Sequence, residues 1–240
     1  MNFRSVLAGL ALGAITAFPA AAADITLRGA SLFDENHAYT KTLMKFGELV
    51  NEYADQEIEF DLRLNSELGI EPAPETGCTF VENALEKARH ASRESGLPAI
   101  ADDSGISVDA LDGAPGVYSA RYAGASADDA ANNTKLIKAL KDCGALGANG
   151  APSERTAAHF YSVVVMLQHP EDPTPLIATG RWDGQITGTP SGSNGFGYDP
   201  HFWLPDRQLT SADLPAEEKN RISHRGQAVA ALTRQLGDRV

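Results

Sequence analysis

Hydrophobic and polar positions divide the chain into segments of clearly different period. Residues 25–30 are strand-like, and Tyr39, Leu43, Phe46, Leu49 and Val50 then recur at helical spacing. Ile58, Phe60, Leu62 and Leu64 alternate with polar partners, the period of a half-buried strand. A Pro- and Gly-bearing loop, ELGIEPAPETG, closes this first strand–helix–strand third. Thr79 and Glu82 form the T-x-x-E signature of a capping box, so a helix is predicted from there to about Ser95. LPAIADDSGISVDAL reads as a strand that Gly105 ends, followed by the turn-rich DGAPGVYSARYAG and a helix from about Ala127 to Lys141. AAHFYSVVVMLQH and PLIATGRWDGQIT are strands that can pair through PEDPT. SGSNGFGYDPHFWLP is a loop ending in a short apolar strand, and LPAEEKNRISHRGQAVAALTRQL closes the chain as helix. The strands within residues 157–187 are joined too tightly for a crossover. The pattern therefore predicts a single α/β domain with a mixed central sheet flanked by helices.

Composition narrows what such a domain can do. With 240 residues, 42% hydrophobic and 22% charged, the chain can bury a sizeable core. A net charge of −12 excludes a broad basic surface for nucleic acid, while leaving room for local cations around a phosphate-bearing ligand. Cys78 and Cys143 match no metal motif and are expected as inert, buried or half-exposed thiols. Residues 1–23 have the form of a secretory signal: Arg4, an apolar run from Val6 to Phe18, and small residues at Ala20–Ala23. That run falls short of the about 20 residues a membrane span needs. A used signal would place a mature chain, starting near Asp24, in the periplasm.

Three groups of residues could carry chemistry. Asp102 and Asp103 are neighbours in a strand, so regular geometry sends them to opposite faces. At a strand's carboxyl edge they would supply hard oxygens suited to Mg²⁺, with Glu75 as a further oxygen ligand. Asp103 and Ser104 could equally serve only to turn the chain. In GFGYDP, Gly195 and Gly197 allow a close backbone approach while Phe196 and Tyr198 offer flat faces to a purine; Asp199 before Pro200 also suits a simple turn. In EEKNRISHRGQ, Lys219, His224 and Arg225 gather cations beside Ser223, a plausible N-cap, although such a cluster is commonly a solvated helix face. Combined, these are the parts of a nucleoside-triphosphate hydrolase.

The segments ETGCTFVENALEKARHASRESGLPAIADDSGISVDALDGAPGVYSARYAG, SNGFGYDPHFWLP and EEKNRISHRGQA closely resemble the inosine/xanthosine triphosphate pyrophosphatase family, over about Leu68 to Leu236. The resemblance implies that family's fold and Mg²⁺-dependent hydrolysis of ITP, dITP and XTP to monophosphate and pyrophosphate by a homodimer of cytoplasmic type. It implies Asp103 as general base and metal carboxylate, Glu75 as metal ligand and Ser104 as a substrate contact. Phe196, Gly197, Tyr198 and Asp199 would line base and sugar, Lys219 would meet phosphate, and His224 and Arg225 would read the 6-keto edge. Residues 24–67 instead resemble the start of solute-binding proteins of tripartite ATP-independent periplasmic transporters, so the chain reads as a chimera joined near NSELGIEP, with residues 68–240 as the pyrophosphatase core. The family's amide- and lysine-bearing phosphate loop is then replaced by a segment offering Asp34 and Glu35. Such a replacement would weaken turnover, since one lost oxyanion donor costs about 2.7–4 kcal/mol. The competing expectations are an inactive fusion and a periplasmic organic-acid binding module.

Overall fold

The computed structural model describes residues 67–146 and 156–237, together with the two-residue strand β1 (Arg28–Gly29). The signal-like residues 1–23, the helix expected over Tyr39–Val50, the strand expected at Ile58–Leu64 and the loop with Asp34 and Glu35 lie outside the described residues. In chain order there follow α1 (Phe80–Ser95), β2 (Ala99–Val108), α2 (Asp129–Asp142), β3 (Ala157–Leu167), β4 (Leu176–Ile186), β5 (Phe202–Leu204), β6 (Leu209–Thr210), α3 (Ala216–Ile222) and α4 (His224–Gly237). The sheet order is β1-β2-β3-β4-β5-β6. β1 runs parallel to β2, and every other pairing is antiparallel, so the sheet is mixed as its short connections predict.

Helix α1 starts where its capping box is written. Thr79 Oγ1 accepts from the Glu82 N–H at 3.3 Å, and Glu82 Oε2 accepts from the Thr79 N–H at 2.9 Å. Gly96, at φ 71°, ends the helix in the left-handed conformation glycine favours. Ala84, Ala88 and Ala91 form its buried stripe, and their small side chains let the helix lie close on Ala99, Ala101, Val163 and Val165. On the opposite face of the sheet, α4 buries Ala228, Val229 and Leu232 against Ile100, Val164, Met166 and Ala178.

Three expectations need correction. β2 does not end at Gly105 but continues to Val108. Gly105 is instead a point of close approach: a Cβ there would stand 2.4 Å from Ser119 Oγ and 2.6 Å from the Gly116 carbonyl oxygen. Ser119, in the 3-10 turn Gly116–Arg121, accepts from the Ile106 N–H at 2.9 Å. The closing helix is two helices, because Ser223 adopts an extended conformation (ψ 164°) and its hydroxyl accepts from the Gly226 N–H at 3.3 Å, fulfilling its expected capping role. Both cysteines are exposed rather than buried or half-exposed. Cys78 directly precedes the N-cap of α1 and Cys143 is the C-cap of α2, so both sit at helix ends on the surface.

The start of α4 is seated through Gly180 of β4, where a Cβ would fall 1.9 Å from the His224 carbonyl oxygen and 2.8 Å from the Ala228 nitrogen. Gly180→Ala is therefore expected to lower stability by about 1–3 kcal/mol or more, seen as an earlier urea midpoint. An unchanged midpoint would show that α4 is not held against the sheet at this point.

Candidate functional site

Strand alternation places Asp103 on the α1 face of β2, where it is buried. Its carboxylate accepts from Asn83 Nδ2 at 3.0 Å and from Lys87 Nζ at 3.0 Å. Asn83 and Lys87 follow the Thr79 cap at steps of four, so one stripe of α1 presents both. Lys87 Nζ also lies 2.5 Å from Glu75 Oε1 and donates to the Asp102 carbonyl at 3.3 Å, while Arg121 binds the other Glu75 oxygen. Burial pushes the Asp103 carboxyl above its ordinary value, outweighing Lys87 and Asn83. Burial also acts against charge on Lys87 and on Glu75. The carboxylates of Asp103, Asp102 and Glu75 nevertheless hold the ammonium above its usual value, and Lys87 and Arg121 hold Glu75 below its own.

Asp102 and Ser104 point to the other face. There Asp102 Oδ2 lies 3.6 Å from Arg225 Nε at the start of α4. Ser104, Phe160, Phe196, Tyr198, Lys219 and Arg225 are among the residues around a cavity of about 550 Å³, within the size range of small-molecule sites. The Phe196 ring lies near both cations, with Lys219 Nζ at 4.9 Å and the Arg225 guanidinium carbon at 5.3 Å from its centroid. Asp199 organises this corner from a buried position. It accepts from the Phe196 N–H at 2.8 Å, from Ser211 Oγ at 2.7 Å, and from Lys219 Nζ. Gly195 makes this possible: at φ 78°, any Cβ would meet Asp199 Oδ2 at 2.1 Å.

The structure brings together Ser104, Phe196, Gly197, Tyr198, Asp199, Lys219, His224 and Arg225, which all border this cavity. It does not place Asp103 and Glu75 on that wall. They form a second cluster across β2, separated from Arg225 by the thickness of the sheet, because successive strand residues must diverge. Two side chains also differ from their expected character. His224 is not a cation: burial first, then Arg225 and Lys219, keep its imidazole neutral, and it stacks on Phe160 at 4.7 Å and 8°. Tyr198 offers little free face, since it is buried in the core with its hydroxyl donating to the Ser119 carbonyl at 2.8 Å. Lys87 and Asn83 escaped the sequence reading although their spacing from Thr79 was visible. The ion-paired role of Arg121 became apparent only in three dimensions.

The mixed α/β sheet thus carries a ligand-sized cavity bordered by an aromatic ring and two cations. The Ham1 family model matches residues 38–235, beginning well upstream of the seam expected near residue 67. A dITP/XTP pyrophosphatase of Xanthomonas oryzae pv. oryzae is 57% identical over 170 residues, covering 71% of this chain and 81% of the relative. One from Yersinia pestis is 50% identical over 194 residues, covering 81% and 93%. A HAM1 protein structure from Coxiella burnetii superposes with a TM-score of 0.76 at 42% identity, covering 89% of this chain and 99% of that one. The chain belongs to the Ham1 family.

The raised Lys87 pKa has a definite consequence for stability. The contribution is fully present below the ordinary lysine value of 10.5 and is lost as pH rises through the folded-state value above it. Lys87→Met is expected to cost about 3 kcal/mol at neutral pH by leaving Asp103 buried without its ammonium. That deficit shrinks as pH falls and Asp103 takes up a proton. Urea midpoints of both proteins between acid and alkaline pH test this, and a deficit independent of pH would contradict the coupling.

Proposed function

We propose that this chain hydrolyses non-standard purine nucleoside triphosphates (ITP, dITP and XTP) to the monophosphate and pyrophosphate. The observation that carries the reading is Phe196, held by Asp199 at the cavity beside Lys219 and Arg225, one strand's thickness from the Asp103 carboxylate. The dITP/XTP pyrophosphatase names of the relatives support the same reading.

In this reading Phe196 stacks on the base, while Arg225, with neutral His224 behind it, presents donors to a 6-keto oxygen. Adenine would set an amino group against those donors and leave them badly paired. Lys219 meets phosphate oxygens, and Ser104 contacts the substrate from the strand that also carries Asp103. Asp103 takes the proton of the attacking water; its buried carboxylate is a stronger base than an exposed one.

Mg²⁺ belongs to the same proposal. No group of three or more His, Cys, Asp or Glu side chains suited to a metal occurs among the described residues, yet Mg²⁺ commonly needs only one or two carboxylates. Glu75 and Asp103 fit, as hard-oxygen groups converging on one ammonium at 2.5 and 3.0 Å. Held there, the ion would neutralise charge growing on the transferred phosphoryl oxygens. A homodimer is likewise inferred from the family likeness. Among the described residues no helix is long and apolar enough to cross a membrane. The export signal at residues 1–23 and the solute-binding-like segment 24–67 remain proposals from sequence pattern, with a periplasmic location if the signal is used.

Purified chain with ITP and Mg²⁺ is expected to release pyrophosphate, with ATP turned over far more slowly. Asp103→Asn should lower kcat by about 10²–10⁴-fold. Equal rates for the two proteins would remove the assignment.

A further inference from the structure

We propose that Asp129 and Asn133 are positioning residues that latch the Phe196 turn over the cavity and so set how tightly a base is held. The inference rests on the functional reading above. Phe196 is flanked by two left-handed residues, Gly195 at φ 78° and Gly197 at φ 61°, so the turn has a backbone that is intrinsically free to rearrange. It is also a thin wall. Gly195, Phe196 and Gly197 border the 550 Å³ cavity on one side and, on the other, an open cleft of about 920 Å³ between α2 and residues 188–201. With space on both faces, the turn depends on its hydrogen bonds more than on packing.

Those bonds come largely from α2. The Gly197 N–H donates to Asp129 Oδ2 at 2.6 Å, and the Gly197 carbonyl accepts from Asn133 Nδ2 at 2.8 Å. Both polar groups of one peptide residue are thus gripped by side chains four apart on one helix face. The contact to Asp129 is charge-assisted and correspondingly strong. The helix is a firm mount. Asp128 caps it by accepting from the Ala131 N–H at 2.8 Å, and Leu136, Ile137 and Leu140 bury its inner stripe. Asn132 also clasps the segment after β2, accepting from the Ala123 N–H at 2.7 Å and donating to the Ala120 carbonyl at 3.1 Å.

The latch and the Asp199–Lys219 pair act on different atoms. Opening the latch frees the peptide after Phe196 but leaves the Lys219 ammonium with its Asp199 partner. Ligands that carry a base should then bind more weakly, while pyrophosphate, which has none, should bind as before.

The test combines ITP kinetics, inhibition by pyrophosphate, and amide exchange at Gly197 for Asp129→Ala, Asn133→Ala and Asp129→Asn. The alanine variants are expected to raise KM for ITP about tenfold, with kcat within about twofold of the unaltered chain. Pyrophosphate inhibition should be unchanged and Gly197 exchange faster. Asp129→Asn, whose amide oxygen still accepts from Gly197, should restore KM. An unchanged KM, unchanged exchange, or equal weakening of ITP and pyrophosphate would overturn the latch. Absence of ITP hydrolysis by the unaltered chain is a separate result that overturns the functional reading, and the latch's role in base binding falls with it.

Discussion

A carboxylate in the middle of a sheet is the constraint around which this fold is arranged. Asp103 is buried on β2, and an isolated buried carboxylate is strongly disfavoured. Its compensation comes from one helix, whose Asn83 and Lys87 reach the two carboxylate oxygens. They can do so only because the stripe beside them is alanine, which lets α1 lie near the strand. Lys87 in turn faces more negative charge than it can neutralise with Asp103 alone, since Glu75 and the Asp102 carbonyl converge on it as well. Arg121, on a turn pressed against Gly105, supplies the balancing positive charge to Glu75. Capping box, alanine stripe and mid-strand glycine thus all serve one electrostatic requirement.

The opposite face of β2 follows a second carboxylate. Asp199 binds the Phe196 amide, the Ser211 hydroxyl and the Lys219 ammonium, fixing an aromatic ring and a cation relative to one another. Arg225 approaches the same ring from the first turn of α4 while also facing Asp102. Adjacent residues of one strand therefore address both clusters, Asp102 and Ser104 on one side and Asp103 on the other.

His224 shows why charge cannot be counted from composition. Beside Lys219 and Arg225 it reads as part of a cationic group, yet burial and those same neighbours keep it neutral, flat against Phe160. Tyr198 makes the complementary point. Its ring looked available in GFGYDP, but its hydroxyl reaches back to Ser119 and its body fills the core.

Much of the architecture was readable one residue at a time. Thr79 with Glu82, the alternation through β3 and β4, and Ser223 before a helix are local signals, and local backbone and side-chain chemistry suffices to express them. Of the motif residues, Ser104, Phe196, Gly197, Tyr198, Asp199, Lys219, His224 and Arg225 border one cavity, whereas Asp103 and Glu75 do not. What sequence could not supply were relations between segments distant along the chain: Gly105 as a landing place for Ser119 rather than a strand end, Lys87 as the ammonium under Asp103, and α2 as the support of the Phe196 turn. Periodicity tells which way a side chain points from its own element. Which partner it meets there, and whether burial leaves it charged, is decided only when the elements pack.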